Sequence, residues 1–160
     1  MPGKRVGILT EFNYEDIELW YPFYRLKEEV TKHLRSAPRK GKLTTRNMDT
    51  RARPNIDALI IPGGFAPDYW RRDQRILDLV REMDKARKVI ASVCHGPWVL
   101  ISAKVIRDRK VTCFKAIIDD VVNAGANYSD APVVVDMNMV TSREPKDLPD
   151  FCKALISLLK

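Results

Sequence analysis

Short apolar segments alternate with amphipathic segments along the chain, and this alternation predicts an α/β protein. Strands are predicted at 6–9, 58–61, 89–93, 111–114, 133–135 and 139–141. The strand at 89–93 is expected to be buried, because it is apolar almost throughout. Helices are predicted at 13–29, 76–83, 97–103, 119–124 and 148–159, where apolar side chains recur every three or four residues. Strands that alternate with helices form a mostly parallel sheet with helices on both faces. We expect residues 1–160 to form one such domain.

Three features that could carry chemistry follow predicted strands directly. Glu15 comes after the first strand, Gly63 and Gly64 after the second, and Cys94 after the third. Sites in parallel sheets gather at the carboxyl ends of the strands. We therefore expect these residues to meet at one edge of the sheet.

Cys94 stands at a sharp change from an apolar strand to a helix, in the segment Ala-Ser-Val-Cys-His-Gly-Pro. This is the pattern of a nucleophile elbow, in which Ser92 and Gly96 supply the small neighbours that a tight turn needs. The helix N-terminus is expected to favour the thiolate and to lower the pKa of the cysteine. The alternative is a buried, inert cysteine.

The neighbours of Cys94 have more than one possible role. His95 could be a base, a hydrogen-bond donor or a spacer, and its backbone N–H could stabilise an oxyanion. Gly63 and Gly64 could bring a second N–H to the substrate, or could form an ordinary turn. Glu15, if half-buried, could share a proton with Cys94; otherwise it is an acidic residue that suits the start of a helix.

The formal charge of +7 is concentrated in one stretch. Residues 30–55 contain eight basic side chains and one acidic side chain, which sums to +7. Such a stretch can bind nucleic acid or another anionic partner. We favour a solvated connection, and do not expect nucleic acid as a partner, because no aromatic residues are interleaved with the basic ones.

Cysteine and histidine are too few and too scattered to predict a metal site or a disulfide framework. The sequence has three cysteines, none of them in a CxxC pair, and two histidines. No apolar run reaches the length that spans a bilayer, so we expect no membrane association. The first residues do not resemble a signal peptide, and we expect a cytoplasmic protein. The aromatic cluster of Trp20, Tyr21, Phe23 and Tyr24 predicts core or a subunit interface.

Several motifs in the same order resemble the PfpI-type intracellular protease family, within the class I glutamine amidotransferase-like superfamily. The motifs cover nearly the whole chain outside the basic stretch. They are Tyr14–Leu19, Tyr21-Pro22, Arg25–Glu29, Asp57–Gly64, Cys94–Pro97, Asp119-Asp120, Asn123–Ala126 and Thr141–Arg143. The resemblance implies an α/β fold of the flavodoxin-like type: a three-layer sandwich with a mostly parallel sheet and helices on both faces.

The resemblance also implies roles for individual residues. Cys94 would be the nucleophile, Glu15 the acidic partner that contacts it, and His95 the catalytic histidine. Asp68 would reach the histidine of a neighbouring subunit, so a homo-oligomer is expected, either a dimer or a hexamer built from dimers. The oxyanion hole and substrate site would be formed by Gly63, Gly64 and His95.

The activity implied is that of a cysteine-dependent hydrolase acting on a small carbonyl compound, of the glyoxalase or protein deglycase type. A peptidase with a Cys-His-Asp triad shared between subunits is the alternative. A stress chaperone or redox sensor is the alternative of another class. None of these reactions requires a metal or an organic cofactor.

The chain departs from the family pattern in two ways. The segment between Glu29 and Asp57 is shorter than usual and strongly basic. Other residues stand where the family tends to have glycine: Val30, Lys104, Asp108 and Met137.

Overall fold

The structure is a computed structural model that describes residues 4–29 and 55–160. The basic stretch 30–55 lies outside the described residues except for Asn55, so its predicted role as a solvated connection stays a prediction. Among the described helices, none is both long enough and apolar enough to cross a membrane.

Within residues 4–29 and 55–160, a five-stranded sheet forms the centre of the fold, in the order β1-β2-β3-β7-β6. Its strands are β1 (Val6–Ile8), β2 (Ala58–Ile61), β3 (Val89–Val93), β6 (Val133–Asp136) and β7 (Met139–Ser142). Neighbouring strands are parallel except β6 and β7, which form an antiparallel hairpin. A second sheet pairs β4 (Lys110–Val111) with β5 (Asn127–Tyr128) in parallel.

Helices cover both faces of the sheet because its strands are apolar on both sides. In β2, Leu59 and Ile61 face one core, and Ala58 and Ile60 face the other. The first core is closed by α2 (Ala66–Trp70), α3 (Gln74–Lys85), α4 (Pro97–Ala103) and α5 (Ile118–Asn123). The second is closed by α1 (Asp16–Glu29) and α6 (Leu148–Leu159), and 3-10 turns span Lys115–Ile117 and Pro145–Asp147. The predicted flavodoxin-like three-layer arrangement is confirmed.

Local differences from the predicted elements have identifiable causes. The first helix begins at Asp16, because Asn13 takes a left-handed backbone with φ of 63° and cannot act as its cap. The strand predicted at 111–114 ends at Val111, and Phe114 instead donates its N–H to the carbonyl of Cys94. The two-residue strand β5 and the five-residue helix α2 are too short to show a period in the sequence.

The exposed face of α1 is aromatic, contrary to the expectation that its apolar period marks the core. Ile17, Trp20 and Tyr24 are 48%, 47% and 56% exposed. The buried stripe of this helix comprises Glu18, Leu19, Pro22 and Leu26. The prediction of a core position is therefore wrong for Trp20 and Tyr24. Their predicted place in a subunit interface stays a prediction.

At three of the four positions where the family tends to have glycine and this chain does not, the backbone takes the left-handed conformation that favours glycine. Lys104, Asp108 and Met137 have φ of 62°, 62° and 52°, in the left-handed region. Lys104 caps the end of α4, and Met137 turns the hairpin between β6 and β7. The fourth position, Val30, lies outside the described residues.

Candidate active site

Cys94 occupies the elbow predicted between β3 and α4. Its φ of 59° is left-handed, which turns the chain sharply at the end of the strand. Its N–H donates to the carbonyl of Ser142 on β7 at 3.0 Å, and its carbonyl accepts from Phe114 N–H at 3.1 Å. Gly96 N–H closes the turn by donating to Val93 at 2.8 Å. The thiol is thus held at the carboxyl edge of the sheet by two neighbouring segments.

Two glycines allow the backbone to pack closely around this elbow. A Cβ on Gly96 would lie 2.5 Å from both the carbonyl oxygen of Ile61 and the hydroxyl of Ser92. A Cβ on Gly63 would lie 2.7 Å from the Cβ of Cys94 and 2.8 Å from Oε2 of Glu18. These distances are shorter than real Cβ contacts, so both positions need glycine for space.

Glu18 is the acidic residue beside the nucleophile. Its side chain is fully buried, Oε2 accepts the N–H of Gly63 at 2.5 Å, and the carboxyl group interacts with the Cys94 thiol. Oε1 has no hydrogen-bond partner in the described part of the chain. Burial raises the pKa of Glu18 to about 7, and the charge of Glu15 contributes to the rise. The carboxyl group can therefore take up and release a proton near neutral pH.

The prediction that Glu15 contacts the nucleophile is therefore wrong. Glu15 is exposed and precedes α1, and Glu18 lies inside the helix, three residues further on. One signal in the sequence points to Glu18: together with Pro22 and Leu26 it forms an i, i+4, i+8 series on one helix face. A carboxylate in such a series is held in the interior, where its pKa rises.

The pKa of Cys94 also differs from the prediction of a lowered value. Burial and the adjacent charge of Glu18 raise the pKa of the thiol, whereas the backbone N–H groups of His95 and Gly64 oppose the rise. Two negative charges in one buried place are unfavourable, so above pH 7, once Glu18 has ionised, the two groups hold one charge and one proton between them. The pair is arranged to transfer that proton during attack by sulfur.

Of the three predicted oxyanion donors, one already has a hydrogen-bond partner and two lie beside the Cys94 thiol. The N–H of Gly63 is occupied by Glu18, so its assignment to the oxyanion hole is wrong. The N–H groups of Gly64 and His95 stabilise the charged form of the Cys94 sulfur, and so oppose the rise of its pKa. A carbonyl oxygen attacked by that sulfur would come close to the same two donors.

His95 contacts the nucleophile through its ring as well as its backbone. Nδ1 lies 3.3 Å from the sulfur of Cys94. The ring packs between Trp98 and Phe114, with centroid separations of 5.0 and 5.1 Å. Burial lowers the pKa of His95, and the charge of Asp120 partly opposes this effect. The imidazole is therefore neutral at pH 7 and can accept a proton.

Asp68 does not act on His95 within the chain. It lies in the short helix α2 and forms an ion pair with Arg72, one turn further along. Its predicted contact with the histidine of a neighbouring subunit stays a prediction, since one chain is described. In the described residues no cluster of His, Cys, Asp and Glu could hold a metal ion.

Comparison with known proteins gives matches over nearly the full length. Residues 4–158 match the DJ-1/PfpI family. A deglycase of Pyrococcus abyssi is 42% identical over 98% of this chain and 99% of its own length. The protein/nucleic acid deglycase 2 of Escherichia coli is 40% identical and covers 98% of each chain.

A solved structure shows the same fold at 38% identity and a TM-score of 0.84. It is a two-domain protein from Anabaena variabilis with a DJ-1/ThiJ/PfpI-like domain and a ferritin-like domain. The match covers 98% of this chain and 48% of that protein, so the chain spans about half of its length.

Proposed function

Because the chain belongs to the DJ-1/PfpI family, and is thus a cysteine-dependent enzyme of the hydrolase type, we propose that it removes small dicarbonyl adducts such as those of methylglyoxal. The observation that carries the proposal is the juxtaposition of Cys94 with a carboxyl group that titrates near neutrality and an imidazole 3.3 Å from the sulfur. Relatives named deglycases support the same substrate class.

The first step forms a carbon–sulfur bond. Cys94 adds to a free aldehyde, the thiol proton passes to the carbonyl oxygen, and a hemithioacetal results. With an amine adduct, the C–N bond breaks as the C–S bond forms, and the thiol proton leaves on the amine. Glu18 and His95 can relay that proton because each is next to the sulfur.

The second step moves hydrogen within the adduct. A base removes the proton from the carbon bonded to sulfur, and a proton returns to the adjacent carbonyl carbon through an enediol, giving a thioester. Water then hydrolyses the thioester, releases a 2-hydroxy acid and regenerates the thiol. The net change is addition of one water molecule to the dicarbonyl, with no external oxidant or reductant.

We include a homo-oligomer in the proposal, because Asp68 and the exposed aromatic face of α1 are available to a second subunit. The ion pair with Arg72 would have to open or be shared for Asp68 to approach a neighbouring His95. Cytoplasmic location stays a prediction.

The test compares three substrates on two variants. Methylglyoxal, a methylglyoxal-treated amino acid and a fluorogenic peptide are offered to wild type, to Cys94→Ser and to Cys152→Ala. Cys152 is a buried cysteine in α6, which makes it a matched control for loss of a thiol. We expect release of the hydroxy acid by wild type and by Cys152→Ala, and none by Cys94→Ser.

Three results would contradict the proposal. Full turnover by Cys94→Ser would show that the reaction does not need the sulfur of Cys94. Cleavage of the peptide without turnover of either carbonyl substrate would identify a peptidase instead. A protein that turned over nothing, but whose Cys94 reached the sulfinate with mild peroxide, would be a redox sensor or chaperone.

A further inference from the structure

The indole of Trp98 packs against the imidazole of His95, with ring centroids 5.0 Å apart. The indole lies in the first turn of α4, and its ring meets the imidazole edge to face at an angle of 63°. The ring of Phe114 also packs on this imidazole, at an interplanar angle of 37°. The orientation of His95 thus depends on how firmly the indole is fixed.

The indole is fixed at two further points. Its Nε1–H donates to Oδ2 of Asp120 at 2.7 Å. The guanidinium carbon of Arg71 lies 5.5 Å from the indole centroid, and Arg71 is itself anchored by a 3.0 Å hydrogen bond from Nε to Ser102 Oγ. An indole held at its N–H and on its face has little freedom to rotate away from the histidine.

We propose that Asp120 is a positioning residue for His95: it anchors the indole of Trp98, and the indole holds the imidazole against the sulfur of Cys94. The proposal rests on the role of His95 in the proposed function. It differs from the predicted triad because the acidic group belongs to the same chain and acts through a tryptophan.

Electrostatics agrees with this placement. In the described part of the chain, Asp120 is the charged group that acts on the imidazole, and it opposes the effect of burial on the pKa of His95. Cys94 is the titratable group in contact with the ring, 3.3 Å from Nδ1. Asp119, the adjacent residue, is exposed and offers a control with the same charge.

Substitutions can separate the anchor from the charge. Trp98→Phe keeps an aromatic ring and removes the N–H donor. Asp120→Asn keeps an acceptor for that donor and removes the charge, whereas Asp120→Ala removes both. We expect kcat to fall about tenfold in Trp98→Phe and Asp120→Ala with little change in KM, because a misplaced catalytic group slows the chemical step. Asp120→Asn and Asp119→Asn should keep kcat within about twofold at pH 8.

NMR gives a readout that needs no substrate. The sequence has two histidines, so His33→Gln leaves the His95 ring as a single imidazole signal. We expect Asp120→Asn to lower the pKa of His95, and Asp119→Asn to lower it less. In Asp120→Ala the His95 Hε1 resonance should move toward its random-coil position, because the indole ring current is lost. Thermal unfolding confirms that each variant is folded.

The outcomes decide the proposal independently of the substrate. An unchanged His95 resonance in Asp120→Ala, or full kcat in Trp98→Phe, would overturn it. The proposal would also be overturned if Asp120→Asn lost as much kcat as Asp120→Ala. The hydrogen bond to the indole N–H, which Asp120→Asn retains, would then not contribute to kcat. If none of the carbonyl substrates reacts, the resonance shift still tests the anchor.

Discussion

Replacing Glu18 by Gln is the sharpest test of the buried carboxyl group. Glutamine keeps the size of the side chain and an oxygen that can accept the N–H of Gly63. It removes the group whose pKa burial raises from 4.5 to about 7. The variant should therefore show what the ionised carboxylate costs the fold, separately from the space it fills.

The magnitude follows from linkage between protonation and folding. Below pH 4.5 the carboxyl group is protonated in both folded and unfolded chains, and the raised pKa has no effect. Between pH 4.5 and 7 the unfolded chain loses this proton first, so the free energy of unfolding falls as pH rises. Above pH 7 the loss is complete, at about 3 kcal/mol, since one pKa unit corresponds to about 1.4 kcal/mol.

Urea denaturation of wild type and Glu18→Gln at pH 5 and pH 8 measures this difference. We expect the variant to gain about 2 to 3 kcal/mol relative to wild type between the two pH values. Glu15→Gln, which keeps the buried carboxyl group, should follow wild type more closely. A difference between wild type and Glu18→Gln that is the same at both pH values would show that Glu18 ionises normally, and would refute the reasoning.

Three further predictions concern the same region and the backbone. In Glu18→Gln, iodoacetamide should alkylate Cys94 at lower pH than in wild type, because the charge that raises the thiol pKa is gone; an unshifted profile would contradict this. Gly63→Ala should cost about 1–3 kcal/mol and most of the activity, because its Cβ would lie 2.7 Å from that of Cys94; urea titration and turnover measure both. Lys104→Gly should raise the free energy of unfolding by about 0.5–1 kcal/mol, because it relieves a left-handed φ of 62°. The control Lys153→Gly, inside helix α6, should lower it by about 1 kcal/mol.

The sequence was sufficient to predict the elbow because its signal is local. An apolar strand, a cysteine, small neighbours and the proline that starts a helix all lie within 89–97. The structure places β3, Cys94 and the first residue of α4 there. The left-handed backbone at Lys104 and Met137 occurs at two of the positions where the family tends to have glycine.

The acidic partner was not predicted correctly, because burial on α1 depends on which face meets the sheet. Two stripes of this helix have helical spacing: one contains Trp20 and Tyr24, the other Pro22 and Leu26. Hydropathy favours the aromatic stripe, yet the sheet and α6 pack on the other, which carries Glu18. The direction of the Cys94 pKa shift was also not predicted correctly, because it follows first from burial of the thiol and then from the charge of Glu18.

The left-handed backbone of Cys94 has an evolutionary consequence. At φ of 59° a glycine would relax the turn, and serine would fit it as well as cysteine does. The ionised carboxylate beside it lowers stability further at neutral pH. Selection for stability alone would therefore replace both the cysteine and the buried glutamate. A lineage that keeps them together is under selection for the reaction they perform.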